Sequence, residues 1–197
     1  MAITQGHEVV CCDRNRRGGL KTIYLVEQDR IGDVTAASGV ISDFPTLASV
    51  GGAAGAGAYK FEFDRGTAGF SANASRENGS TIITVELEFY IPKVTSEVNE
   101  RLNELATSCG IFAMVETYAD DCTAPTTYKF VLGWDSIFEK TAYLEFASGE
   151  QSTGVGLQDA NGTLVKLSGE MGEYPLEYSG VITEGATATA AVTFEAS

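Results

Sequence analysis

The chain has 197 residues, 13 basic and 27 acidic, with 44% hydrophobic and 20% charged residues; this suits one β-rich domain with a packed core and excludes compositional disorder. A formal charge of −14 excludes attractive, phosphate-tracking nucleic-acid binding, yet is compatible with a surface to which DNA must not adhere. The charge is uneven: residues 1–101 hold 10 basic and 13 acidic side chains, residues 102–197 hold 3 and 14.

In chain order, MAITQGHEVVCC has no cationic stretch followed by an apolar one, and no later segment approaches the roughly 18 apolar residues of a membrane span. The expectation is a soluble protein used without export and without a membrane partner. The N-terminal segment 1–19 reads as an arm, and the local basic excess lies in Arg14, Arg16, Arg17 and Lys21. Four cysteines (Cys11, Cys12, Cys109, Cys122) are too few and too irregular for a disulfide framework and read as free thiols.

Residues 20–26 (LKTIYLV) predict a strand, and 27–47 a loop with at most one short strand. The Gly/Ala stretch 48–58 reads as a flexible loop or arm. From Tyr59 to Asp64 aromatic and charged residues alternate, giving one buried and one wet face. The chain continues extended over 67–75, turns at Arg76-Glu77-Asn78-Gly79, and returns over 81–91 with Val85, Leu87 and Phe89 on one face and Thr84, Glu86 and Glu88 on the other. Phe61, Phe63, Val85, Leu87 and Phe89 are the expected core beneath this pair.

Pro92 ends that strand, and the next segment carries the one convincing helical pattern, about residues 95–108. Thr95 or Ser96 caps it, Val98, Leu102, Leu105 and Ala106 share a face, and Gly110 stops it. Strands are expected at 111–118, 127–132 and 137–146, a hairpin about Asn161-Gly162 over 157–167, and two further strands at 176–182 and 187–194. The fold class that follows is mainly β, an antiparallel β-sandwich or barrel with one short flanking α-helix, forming a single domain over 1–197.

Little in the chain points to catalysis. The lone histidine, His7, has Cys11 where a zinc-protease helix needs a second imidazole; it reads either as part of a Cys-His site with Cys11 and Cys12 or, more plainly, as an exposed histidine. GGAAGAGAYK lacks the Lys and Ser/Thr that would reach phosphate and metal. Asp120-Asp121 and the pair Asp159, Asn161 could ligate a hard cation, but turn chemistry explains them without the EF-hand spacing. Trp134 reads as core, interface or an exposed binding platform. No catalytic residue, metal or cofactor is expected, and the protein is not expected to be an enzyme. Glu62, Asp64, Glu86 and Glu88 form a same-face acidic row, which is a solvated surface, a lining, or less plainly a carboxylate pair for glycoside cleavage.

The order Phe61-Glu62-Phe63-Asp64-Arg65-Gly66-Thr67-Ala68-Gly69-Phe70, then Glu77-Asn78-Gly79-Ser80, a long strand into a short helix, and Ser152-Thr153-Gly154 before Asp159-Ala160-Asn161-Gly162 resembles virion structural proteins of tailed bacteriophages, most of all the major tail tube proteins. The resemblance covers residues 20–180 in element order and turn placement and contains no catalytic signature. It implies β-sandwiches assembled as hexameric rings that stack head to tail, with sheets of adjacent subunits joined into an inner barrel and loops or arms bridging rings. It further implies a place in the virion tail, host cytoplasm during assembly, other tail proteins as partners, and DNA passing without specific binding. On that footing Glu62, Asp64, Glu86 and Glu88 face a lumen, with Lys60 on the same face, and Arg14, Arg16, Arg17 and Lys21 contact the acidic remainder of a neighbouring ring. The alternatives are another head–tail, terminator or decoration protein of the virion, or a carbohydrate- or cell-surface-binding β-sandwich.

Overall fold

Fourteen elements follow from where the chain can bury apolar side chains while pairing its backbone. The computed structural model describes residues 18–47, 57–77, 79–120, 127–156, 158–184 and 191–196. In chain order these hold β1 (Leu20–Glu27), β2 (Thr35–Ala37), β3 (Val40–Asp43), β4 (Tyr59–Phe61), β5 (Ala68–Glu77), β6 (Ser80–Pro92), α1 (Ser96–Thr107), β7 (Ile111–Asp120), β8 (Thr127–Leu132), β9 (Glu145–Ser152), β10 (Gly162–Met171), β11 (Leu176–Tyr178), β12 (Val181–Thr183) and β13 (Thr193–Glu195). A seven-stranded sheet runs β2-β3-β11-β8-β7-β1-β4, a four-stranded sheet β5-β6-β10-β9, and β12 pairs with β13. The result is a mainly β sandwich with one helix; β11 on β3 is its single parallel pairing among the described residues.

The seven-stranded sheet is the middle layer. Ile23 and Leu25 of β1, with Ala113 and Val115 of β7, pack against Val85, Leu87, Phe89, Val165 and Leu167 of the four-stranded sheet. The alternate residues, Tyr24 and Val26 with Phe112 and Met114, face the other way into a second core with Phe44, Trp134 and Phe194. Burial on both faces is why β1 and β7 read as nearly continuous apolar runs while β6 alternates. Each fully buried aromatic or aliphatic side chain contributes about 1.5–3 kcal/mol. Trp134 belongs to this second core and is buried, so it is not an exposed platform.

Helix α1 is capped as its sequence demands, with the Val98 amide donating to Thr95 Oγ1 at 3.2 Å. Leu105 is buried and Leu102 packs on the first core, but Ala106 is exposed, because the apolar stripe is narrower than the i, i+8 spacing suggests. Gly110 is not a left-handed stop. A Cβ there would meet the Tyr143 ring at 2.8 Å, so its role is close approach.

Several expected elements take different forms. The 27–47 segment makes a 3-10 turn at Gln28–Arg30 and two strands, β2 and β3, too short to leave a periodic trace. The alternating 59–64 run yields only the three residues of β4, which pairs with β1 (Ile23 opposite Phe61) and not with β6. Phe61 therefore reaches Phe89 across the sandwich, edge to face at 6.0 Å. Over 137–146 a turn and a 3-10 helix replace the first part of the strand, which starts at Glu145. Asp135 dictates this: its Oδ1 accepts the amides of Ile137 (2.8 Å) and Phe138 (2.5 Å), and its Oδ2 that of Gly172 (2.7 Å). The 176–182 run breaks at Gly180 into β11 and β12, which lie in different sheets. Of 187–194, residues 187–190 lie outside the described residues, and β13 occupies Thr193–Glu195.

The 157–167 hairpin about Asn161-Gly162 is also replaced. Gly162 begins β10, opposite Ser152 and Pro92, and its hairpin partner β9 ends at Ser152. Glycine is needed because a Cβ would clash with the Ile91 carbonyl and sit 2.5 Å from the Tyr90 hydroxyl. Gly162→Ala is expected to destabilise the fold by about 1–3 kcal/mol in urea unfolding through overpacking. Gly69→Ala, on the open face of β5 with nothing near its Cβ position, should be close to neutral in the same assay.

The β12–β13 hairpin is the third layer, clasped onto the middle sheet. Phe194 fills a socket of Tyr24, Phe44 and Tyr178, with ring centroids 6.0–6.2 Å apart. Tyr24 donates its hydroxyl to Glu184 Oε1 at 2.7 Å, and Lys60 reaches Glu184 Oε2 at 3.1 Å. These two contacts, the tyrosine's first, hold the Glu184 carboxyl below the ordinary carboxylate range. Burial chiefly, together with Glu184, pushes the Tyr24 phenol up. A depressed carboxylate stabilises above its unfolded pKa and loses that contribution as pH falls through its folded pKa. Hydrogen-exchange protection of the Val181–Thr183 amides should therefore be present at neutral pH and decline on acidification through that lowered value. In Glu184→Gln the protection should be weak already at neutral pH and flat over the same range.

Candidate functional site

The outer face of the four-stranded sheet gathers the molecule's most ordered charge. In β6 the buried Ile83, Val85, Leu87 and Phe89 alternate with Thr84, Glu86, Glu88 and Tyr90, and pairing carries that alternation to the neighbours. Glu86 lies opposite Ser71 of β5 and Ser168 of β10; Glu88 lies opposite Gly69 and Lys166. Glu170 pairs with Thr84 on the same face. On β9, Glu150 lies opposite Leu164 and Glu145 opposite Ser168. Among the described residues this face thus presents Glu86, Glu88, Glu145, Glu150 and Glu170 to one cation, Lys166.

Lys166 sits in the middle of those acids. Its Nζ lies 2.7 Å from Glu88 Oε2, and that hydrogen bond, then the charges of Glu88, Glu150 and Glu86, raise the ammonium above the ordinary lysine range. The pair is exposed, so its effect on stability is small and screened by salt. What remains is a wet surface with a marked excess of carboxylate.

The four acids expected to act together are separated. Glu86 and Glu88 are on this face, whereas Glu62 and Asp64 are exposed in the connection between β4 and β5, because β4 is held by the other sheet. Lys60, expected beside them, points to Glu184 instead. The acids that replace them, Glu145, Glu150 and Glu170, carried one legible signal: Val165-Lys166-Leu167-Ser168 alternates like β6, and Glu170 continues the outward set. The β9 contribution was hidden by the register shift between Lys166 and Leu167.

Of the basic cluster, Arg14, Arg16 and Arg17 lie outside the described residues, as do His7, Cys11, Cys12, Asp121, Cys122 and residues 48–56 of the Gly/Ala stretch. The last two residues of that stretch, Gly57 and Ala58, are buried, and Ala58 exchanges backbone hydrogen bonds with Val192 at 3.2 and 2.7 Å. Cys109 is an exposed free thiol. Asp159 takes the amides of Val155 (2.9 Å) and Gly156 (2.6 Å), which is turn chemistry and lowers its pKa. Lys21 is bound within its own chain, 3.3 Å from Glu116, a nearly buried acid on β7. Lys21→Ala should leave that carboxylate without its cation and cost the single chain about 1–3 kcal/mol in urea unfolding, an effect on folding and not on assembly alone.

A second feature is a groove of about 730 Å³ between α1 and the β1–β4 edge. Phe61, Ile91, Val98, Leu105, Leu25 and Ile111 line it. Phe61, Ile91 and Val98 are only half-buried and form its accessible floor. Of the charged side chains at its rim, Arg101 pairs with Glu104 at 2.8 Å and Lys60 with Glu184, while Glu62 and Glu97 also line it. Among the described residues no group of three or more His, Cys, Asp or Glu converges on a point that could hold a metal ion. No helix among them is long and apolar enough to cross a membrane. Comparison with family models, curated proteins and solved structures found no match.

Proposed function

We propose that the chain is a virion structural subunit that assembles into stacked rings of a phage tail tube, with the acidic face of its four-stranded sheet turned to the lumen. The observation that carries this reading is the contrast between sheet edges. The seven-stranded sheet ends at both sides on three-residue strands, β2 and β4, which offer little backbone for pairing. The four-stranded sheet ends on β5, ten residues long, and β9, eight residues long, and among the described residues neither pairs with an outer strand. The described part of β5 carries no proline or lysine, the residues that usually blunt an edge.

Open edges on opposite sides of one sheet allow β9 of one copy to continue into β5 of the next. Main-chain hydrogen bonds then supply the affinity, as in strand addition generally. A sheet extended this way curves into a closed ring, and its outer acidic face becomes a continuous wall. Each copy contributes five carboxylates and one ammonium, so a passing polyanion meets repulsion and finds no cation array that could release its counterions. The role is passive: a conduit for DNA in the virion tail, built in the host cytoplasm with other tail proteins, and requiring no catalytic step.

Negative-stain microscopy of the purified full chain should show rings or tubes with a central channel, and monomers at all concentrations would overturn the proposal. Replacing Glu86, Glu88, Glu150 and Glu170 by Lys should leave the rings intact, since all four side chains are exposed. The same change should make the tubes retain DNA in a salt-dependent manner. Tubes of this variant that bind no more DNA than the parent would remove the lumen assignment.

A further inference from the structure

The groove beside α1 carries more acid than its own cations can match. Arg101 pairs with Glu104, Lys60 with Glu184 and Arg30 with Glu27. Glu62 and Glu97 line the same groove and, among the described residues, stand in no ion pair. Asp64, two residues beyond Glu62 in the connection from β4 to β5, is likewise exposed and unpaired. The chain enters β1 against that connection: Gly19 has φ +91°, and a Cβ there would lie 3.4 Å from the Ala68 carbonyl. A half-buried apolar floor beside unmatched carboxylates fits an extended segment that is apolar in one part and basic in the next.

Residues 9–17 have that composition. Val9, Val10, Cys11 and Cys12 are apolar, and the stretch that follows sets Arg14, Arg16 and Arg17 against Asp13. Their reach agrees as well. Phe61 stands opposite Ile23. Ile23 is five residues along β1 from Gly18, roughly 16 Å at the rise of a strand. Residues 13–17, extended back along the sheet from Gly18, cover that distance and bring 9–12 level with the edge strand β4. Because β4 has only three residues, ladder bonds alone would hold such a segment weakly. The covalent tether offsets this, since a short linker keeps its own segment at an effective concentration on the order of millimolar. The Gly/Ala stretch also borders the groove, through Gly57, but residues 48–56 have no charge to set against Glu62 or Glu97.

We infer that residues 9–17 fold back into the groove beside α1 of their own molecule. Val9, Val10, Cys11 and Cys12 cover the floor made by Phe61, Ile91 and Val98, and Arg14, Arg16 and Arg17 lie against Glu62 and Asp64. The groove is thus an intramolecular seat for a segment whose charge the rest of the groove lacks. This goes beyond the stacked-ring reading and does not depend on it.

The test replaces Val98 by a photoreactive benzoyl-phenylalanine in the full chain and irradiates an equal mixture of ¹⁴N- and ¹⁵N-labelled protein. Crosslinks from position 98 to residues 9–12 are expected, with both peptides carrying the same label. Hydrogen exchange supplies the second readout. Reversing Arg14, Arg16 and Arg17 to Glu should lower the protection of the 9–12 amides about tenfold, the combined effect of three exposed ion pairs. Adding Glu62→Lys and Asp64→Lys to that variant should restore it. Crosslinks of mixed label would place the segment in another copy and overturn the intramolecular seat. Crosslinks to 48–56 instead, no crosslinks at all, or protection that the charge reversal leaves unchanged would overturn it equally. None of these outcomes bears on whether rings form, which microscopy reads separately.

Discussion

The double burial of the seven-stranded sheet is the constraint on which the rest depends. Because β1 and β7 send Ile23, Leu25, Ala113 and Val115 to one core and Tyr24, Val26, Phe112 and Met114 to the other, the middle layer has no room for unpaired charge. The nearly buried acid it does contain, Glu116, is held by Lys21. Charge in this strongly acidic chain is thereby driven to the periphery, and among the described residues the outer side of β5-β6-β10-β9 is a broad, regular surface that receives it. The acidic face is a consequence of how the core is layered as much as of which residues are acidic.

Rigidity at the ends of the sandwich comes from carboxylates and amides used as local braces. Asp135, Glu173, Asp159 and Asn161 each bind backbone amides of neighbouring turns, Asn161 taking the Val94 amide at 3.2 Å and giving its carbonyl to Lys93 at 2.7 Å. Such braces satisfy amides that no ladder reaches. They also fix what the turns display, and so the 134–139 and 172–174 loops hold hydrophobic side chains in water without collapsing onto the core. The third layer is attached differently, through one aromatic socket for Phe194 and the Glu184 clasp, which ties its attachment to pH.

Elements with strong local signals were legible. Thr95 as cap, Leu102 and Leu105 as the helix face, the antiparallel pairing of β5 with β6, and the buried row Val85, Leu87 and Phe89 all follow from spacing and turn chemistry. The candidate site was legible by half. Glu86 and Glu88 lie on a long alternating strand whose faces sequence can assign. Glu62 and Asp64 belong to an alternation of the same kind that ends after three paired residues, and nothing in Tyr59-Lys60-Phe61 says which sheet will take it.

The sequence by itself determined that the chain is a mainly β protein with one capped helix, a sizeable core and a strong negative charge. Only the tertiary structure decided which acids share a surface, because strand partners are chosen by long-range burial and register, and a strand's own alternation is the same whichever neighbour it acquires. It likewise decided the reason for two of the glycines. Gly110 and Gly162 are read locally as a helix stop and a turn, yet both are fixed by aromatic rings, Tyr143 and Tyr90, brought against them from distant parts of the chain.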